Sequence, residues 1–125
     1  MDNKGFTLRK RLASFKYAFN GIKLLLRHEH NAWIHTIATV CVLIAGFLLN
    51  ISSTEWIAVI IVIGMVLSAE AFNTAVEKLS DVVSPEYNEM IKQVKDLMSG
   101  GVLFTAIAAA IVGLIIFLPK IIALC

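Results

Sequence analysis

Glu70, Asn73, Glu77 and Asp81 fall at offsets of three, seven and eleven residues at the end of a long apolar run. On a helix of about 3.6 residues per turn these offsets put all four on one face, with about 20° of drift per heptad. An ionised carboxylate facing hydrocarbon costs a few kcal/mol, so such a stripe belongs against protein or a wet cavity and is a functional candidate by default. The plainer reading is a carboxylate that pairs with a basic residue of the N-terminal helix merely to hold helices together, and it applies best to Asp81. Glu70 lies fourteen residues past Trp56. That is roughly 21 Å at about 1.5 Å per residue, which sets it near one membrane boundary, with Glu77 about two turns nearer the water. Glu70 is thus the deepest acid of the stripe. Glu29, in the run Arg27-His28-Glu29-His30-Asn31, is expected at the level of Glu77. Two carboxylates from different helices at one polar boundary make a hard-cation site, because magnesium takes one or two protein carboxylates and completes its shell with phosphate oxygens and water.

Lys95-Asp96 followed by Ser99 adds a cation, a carboxylate and a hydroxyl. Lysine can hold a phosphate as a point charge. Equally, Lys92 and Asp96 are four apart and could form an exposed pair worth little. His28, His30 and His35 show no metal-ligand spacing and read as wet polar groups. There is no G-x-x-x-x-G-K-[ST] loop, and no Gly-rich loop, H-R-D or D-F-G set, so nucleotide chemistry would need another solution. Phosphoryl transfer asks mainly for positioning and charge neutralisation. Carboxylates that hold Mg²⁺, a phosphate-binding lysine and one base can supply both.

The elements that must position these residues are helical. The chain has 125 residues, is 58% hydrophobic and 16% charged, and has a mean hydropathy of +0.82. Those values exclude a disordered chain and predict one small all-α membrane domain over residues 1–125. From Leu8 to Leu26 the apolar residues step by three or four, with Arg9, Arg11, Lys16, Lys23 and Arg27 between them. This predicts an amphipathic helix over about 7–30 lying along the headgroup layer, its cations drawn to anionic lipid at roughly 1 kcal/mol each. Three apolar stretches, about 32–49, 56–75 and 100–118, approach the roughly 20 residues needed to span hydrocarbon. Seven of the eleven Lys and Arg residues fall in the first thirty positions, from Lys4 to Arg27, and the connector Asn50 to Glu55 has none. The positive-inside rule then puts the N-terminus and second connector in the cytoplasm, with Lys120 the lone basic residue outside and Trp33 and Trp56 as interfacial anchors. No apolar h-region follows the basic start, so a cleavable signal peptide is not expected. Ser84-Pro85-Glu86 reads as a helix N-terminus, running through Lys92, Lys95 and Asp96 into the third span. Gly100-Gly101 predicts close helix packing. Cys41 and Cys125 have no disulfide or zinc spacing and read as packing residues.

The run Glu70-Ala71-Phe72-Asn73-Thr74-Ala75-Val76-Glu77, then Asp81, Ser84-Pro85-Glu86-Tyr87 and Lys95-Asp96-Leu97-Met98-Ser99, resembles the signature of the small prokaryotic diacylglycerol kinase family. With the Glu29 region and the three spans, the resemblance covers essentially the whole chain. It implies an integral-membrane lipid kinase of the bacterial inner membrane, a homotrimer with active sites shared between subunits, moving the γ-phosphate of MgATP onto a lipid hydroxyl. By the same resemblance Glu70 is the general base, and Glu29 and Glu77 hold magnesium. Lys95 contacts phosphate, while Tyr17, Glu86, Tyr87, Asn88 and Asp96 help hold the nucleotide. Asn73 orients the site, and Ser99 and the basic helix, Lys10 included, border the lipid. Two positions depart from the best-known pattern: Val82 stands where an arginine often follows the aspartate, and Ile111-Val112-Gly113-Leu114 lacks the late tryptophan. Ser84-Pro85 and Glu29-x-Asn31 look closer to relatives that phosphorylate undecaprenol. Diacylglycerol is the first expectation, on family prevalence, and undecaprenol the alternative. An ion or proton conductor is a competing class, but the acidic stripe lies toward one side and only His35 or Lys120 could extend it. A purely structural membrane protein explains neither the stripe nor Lys95-Asp96.

Overall fold

The computed structural model describes residues 7–125, and at residue 28 the backbone alone; Lys4 and the His28 side chain lie outside the described residues. The chain runs α1 (Leu8–His28), α2 (His30–Leu48), α3 (Ser53–Val83) and α4 (Glu89–Leu124), with no strand among the described residues. Helices α2, α3 and α4 are each long and apolar enough to cross a membrane. The apolar segments expected at 32–49, 56–75 and 100–118 coincide with α2 and the apolar parts of α3 and α4. Helix α1 starts at Thr7, whose Oγ1 accepts from the Lys10 amide at 3.3 Å. Its apolar residues Leu8, Leu12, Phe15, Phe19 and Ile22 are exposed, and Leu25 is buried. Glu29 adopts an extended conformation that ends α1 and starts α2.

The α2–α3 turn is closed by a pair of reversed hydrogen bonds. Asn50 takes a positive φ of 52°, its amide donates to Phe47 O at 3.4 Å, and the Ile51 amide donates to Gly46 O at 3.2 Å. This left-handed C-terminal motif suits asparagine, which tolerates the conformation better than other side chains do. Helix α3 then opens with a capping box: the Glu55 amide donates to Ser52 Oγ at 3.2 Å, and the Ser52 amide to Glu55 Oε1 at 2.9 Å. Ile51, Val59, Ile116 and Phe117 form the buried core here, joined by Val42, Trp56 and Val112. Gly46 is the tightest point. A Cβ on it would lie 2.7 and 2.9 Å from two Trp56 ring atoms and 3.2 Å from Ile51 Cδ1, and that ring is tilted against Phe47 at 4.9 Å. Gly46→Ala is therefore expected to lose stability. Overpacking costs about 1–3 kcal/mol, against about 1 kcal/mol gained from alanine's helix preference. Gly21→Ala, where nothing lies within 4 Å, keeps only the gain. Thermal unfolding of both variants in detergent checks the contrast.

Helix α3 packs along α4 more extensively than along any other helix, and ion pairs tie the two at both ends. Lys120 Nζ lies 3.3 Å from Glu55 Oε1; Lys95 Nζ lies 3.0 Å from Asp81 Oδ1. The pairs are about 39 Å apart along α3 and about 38 Å along α4 at 1.5 Å per residue. The two arms of this helical hairpin are thus matched in length, and the interval exceeds a hydrocarbon core of about 30 Å. Glu55 precedes the apolar segment that begins at Trp56. The Ser52 amide, then Lys120, hold its carboxyl below the ordinary 4.5. A carboxyl depressed in the folded state stabilises fully above its ordinary value and ceases to do so as pH falls through the lowered one. Acidification from about pH 5 to 3 should therefore lower the thermal midpoint of the natural chain more than that of Glu55→Gln, measured by scanning fluorimetry across that range.

Three expectations need correction. The helix expected from Ser84 begins at Glu89: Asn88 Oδ1 accepts from the Met90 and Ile91 amides at 2.9 and 3.2 Å, whereas Ser84 Oγ donates to Glu86 O at 2.9 Å. Gly100 and Gly101 make no close approach within the chain, because a Cβ on either would meet nothing within 4 Å. Cys41 and Cys125 are free thiols on exposed residues, not packing residues.

Candidate active site

The buried face of α3 changes character midway. It presents Val59 and Val66, then Glu70, Asn73, Thr74 and Ser80. The spacing that put the acids on one stripe therefore put them on the same inward face as the apolar residues before them. Glu70 is only 2% exposed, the largest side chain so completely enclosed together with Val59. Its Oε1 lies 3.0 Å from Nε2 of His35 on α2. Next to it, Asn73 Oδ1 and Thr74 Oγ1 are buried without a hydrogen-bond partner. Buried polar atoms in that state are uncommon and costly. Three polar side chains thus lie within about one turn, two of them with buried oxygens that lack a partner, which makes this cluster the candidate site. Glu77, the next acid along, is half-buried.

Beyond it the stripe reaches exposed charges. Asp81 pairs with Lys95 of α4, so its partner comes from the third span's helix and not from the N-terminal one. Lys92 Nζ lies 2.7 Å from Asp96 Oδ2, the exposed i,i+4 pair that the spacing allowed, and the lysine is pushed above its ordinary 10.5 by that carboxylate. The Tyr87 hydroxyl donates to Glu89 Oε2, which lifts the phenol above 10.0. Asn88 is spent on capping α4. Glu86, Lys10, Tyr17 and Ser99 are exposed. The expected nucleotide residues 86–88, 95 and 96 thus gather where α3 passes into α4, beyond the acids of the span. Glu29 is half-buried at the α1–α2 break, and its side chain makes no cap hydrogen bond to α2.

Two open cavities lie between the helices, one lined by Thr74 and the other by His35. One, of about 650 Å³, lies between α1, α2 and α3, lined by apolar residues with Thr36, Ser68, Thr74 and Lys78. The other, of about 330 Å³, lies between α2, α3 and α4 with His35 and Thr39 among its apolar lining. An oily molecule with one polar end matches such walls. Among the described residues, no group of three or more His, Cys, Asp or Glu could hold a metal ion by itself. A magnesium ion carried in on phosphate makes a smaller demand of one or two carboxylates, and Glu29 with Glu77 fit it in type.

His35 was not assigned to this site by its spacing. Spacing alone reads it as a wet polar group, or as a relay toward the outer side, and its contact with Glu70 corrects both readings. It stands five residues into α2 and meets Glu70, while Lys120 closes the opposite end. An imidazole inside an apolar run, facing a carboxylate inside another, was the available signal. Thr74 was missed because a threonine in a helix commonly satisfies its own backbone.

Residues 16–117 match the family described as prokaryotic diacylglycerol kinase. Over 122 residues, 96% of this chain and 99% of the relative, the sequence is 38% identical to the undecaprenol kinase of Bacillus subtilis strain 168. It is 36% identical over 114 residues to the diacylglycerol kinase of Synechocystis sp., covering 90% of this chain and 65% of that one. A diacylglycerol kinase of Sinorhizobium sp. is 34% identical over 97 residues, 74% and 66% of the two chains.

Proposed function

Because the chain belongs to the prokaryotic diacylglycerol kinase family, a family of multi-pass membrane lipid kinases that use ATP, we propose that it phosphorylates a long polyprenyl alcohol, undecaprenol first among them. The observation that carries this choice is the match to an undecaprenol kinase over nearly the full length of both chains. Val82, the absence of a late tryptophan in α4, Ser84-Pro85 and Glu29-x-Asn31 point the same way. They reverse the order of substrates expected from family prevalence alone. Diacylglycerol is the second reading, favoured by the names of the Synechocystis and Sinorhizobium relatives among others.

In this reading the N-terminus and the α3–α4 connector face the cytoplasm of a bacterial inner membrane, as the basic N-terminal segment requires. Helix α1 lies on the headgroups with its exposed apolar residues in the lipid. The alcohol enters from the bilayer with its hydroxyl at Glu70, and ATP arrives from water at the connector. Glu70 takes the hydroxyl proton as the alcohol oxygen bonds to the γ-phosphorus; the bond from that phosphorus to the β-bridging oxygen breaks, and ADP leaves. Lys95, drawn from Asp81, meets the phosphates; Tyr17, Glu86, Tyr87, Asn88 and Asp96 border the nucleotide. Asn73, with its unpaired buried oxygen, orients the reacting groups, and Lys10 and Ser99 border the lipid. Magnesium, when bound, neutralises developing phosphate charge, and Glu29 and Glu77 are the residues that would hold it. Homotrimer assembly follows from the family resemblance; large exposed apolar residues on α2, α3 and α4 leave surface for copies of the chain as well as for lipid.

The test is transfer of labelled γ-phosphate from ATP to purified undecaprenol and diacylglycerol in parallel mixed micelles. A higher kcat/KM on undecaprenol supports the first reading. Turnover on diacylglycerol alone replaces it with the second, and turnover on neither overturns both.

A further inference from the structure

The transfer as described leaves one buried polar contact unused. His35 Nε2 lies 3.0 Å from Glu70 Oε1, and the two groups differ in access: the carboxylate's residue is 2% exposed and the imidazole 24%. His35 is also in the lining of the apolar groove between α2, α3 and α4. The neighbouring hydroxyls of α2 are engaged elsewhere. Thr36 Oγ1 donates to Ala32 O and Thr39 Oγ1 to His35 O, each at 2.7 Å. Ala32, one turn before His35, is wholly buried, so the α2 backbone is held where the imidazole reaches α3.

We propose that His35 is a positioning residue for phosphoryl transfer, holding Glu70 by one carboxylate oxygen so that the other is presented to the lipid hydroxyl. The inference rests on Glu70 as the proton acceptor. An ionised carboxylate has two oxygens and about four acceptor sites, while a neutral imidazole offers one N–H. One donor on Oε1 therefore fixes the rotation of the carboxylate without occupying Oε2. Glutamate has three rotatable side-chain bonds, and freedom in any of them moves the acceptor oxygen by more than an ångström. A misplacement of about 1 Å at a reacting group can cost about 10²-fold in rate. His35 keeps its N–H throughout: the proton released by the alcohol goes to Oε2 of Glu70, and no proton need cross the imidazole. The role is distinct from simple charge compensation, because it depends on which ring nitrogen carries the donor.

That dependence supplies the test. In His35→Gln the side-chain amide nitrogen falls near the place of Nε2, and in His35→Asn near that of Nδ1; both are polar, so neither leaves Glu70 beside a purely apolar wall. The full chain is assayed in micelles with ATP and whichever lipid proves to be its substrate, alongside His35→Leu and Glu70→Gln, with thermal unfolding recorded for each. The expected result is a kcat lowered about 10- to 100-fold in His35→Asn and His35→Leu, with KM for MgATP and for lipid unchanged and most of the rate recovered in His35→Gln. Should His35→Leu lose its fold, the Gln and Asn variants carry the comparison. Natural kcat in His35→Asn, equal losses in the Gln and Asn variants, or a fall in rate that appears only as a higher KM would overturn the positioning role. Glu70→Gln at the natural rate would overturn the proton acceptor itself, a different failure from an inactive Glu70→Gln beside a fully active His35→Asn.

Discussion

Glu70→Gln is expected to lose turnover by about 10²- to 10⁴-fold, the usual loss for a missing general base, and still to bind MgATP. The substitution keeps the shape of the side chain and an oxygen that can accept from His35, so the enclosed site is filled and partnered as before. What it removes is the capacity to take a proton. Nothing proposed to face the nucleotide is altered, because those groups are Tyr17 on α1 and residues from Glu86 onward at the α3–α4 connector and on α4. The loss therefore falls on kcat, and a drop of equal size in kcat and kcat/KM identifies an interaction made only in the transition state. Initial rates with labelled ATP in mixed micelles, set against calorimetric binding of a non-hydrolysable MgATP analogue, measure both halves. A variant that turns over near the natural rate, or that fails to bind nucleotide, contradicts the assignment.

Most of the scaffold behind that prediction is legible from residue order. The apolar runs of α2, α3 and α4 are long enough to read directly, and the three-and-four stepping from Leu8 to Leu26 defines α1 nearly to the residue. The stripe Glu70, Asn73, Glu77 was readable because helical spacing converts sequence offsets into a shared face whatever the helix packs on. The start of α4 was misread for a local reason. Ser84, Pro85 and Glu86 satisfy every sequence rule for a helix start, yet Asn88 and Glu89 satisfy nearly the same rules four residues later. The choice fell to which side chain reaches two amides, and Asn88 does so. Pairings between helices were not legible. Both His35 with Glu70 and Lys95 with Asp81 depend on how far one helix slides along another: the turn at Asn50, the capping box at Ser52 and the Gly46–Trp56 contact set α2 against α3, and the core of Val59, Ile116 and Phe117 sets α3 against α4. A sequence shows that a buried acid needs a partner; the register shows which partner arrives.

The same register separates the second acid from the first. Glu77 lies about two turns beyond Glu70, half-buried where Glu70 is enclosed, and Glu77→Gln should weaken the metal–nucleotide complex before it touches the chemistry. An amide keeps one neutral oxygen as a ligand and loses the charge a hard cation favours. Loss of even an outer partner of a metal ligand costs about 10- to 100-fold in affinity, so the apparent constant for magnesium should rise by at least about tenfold. Saturating magnesium should restore a large part of kcat, because Glu70 and its contact with His35 remain intact. Glu70→Gln, by contrast, gains nothing from added metal. Titrating magnesium at fixed ATP for the natural chain and both variants therefore sorts the two acids. If Glu77→Gln proves insensitive to magnesium while Glu70→Gln is rescued by it, the deeper carboxylate is the metal ligand and the roles must be exchanged.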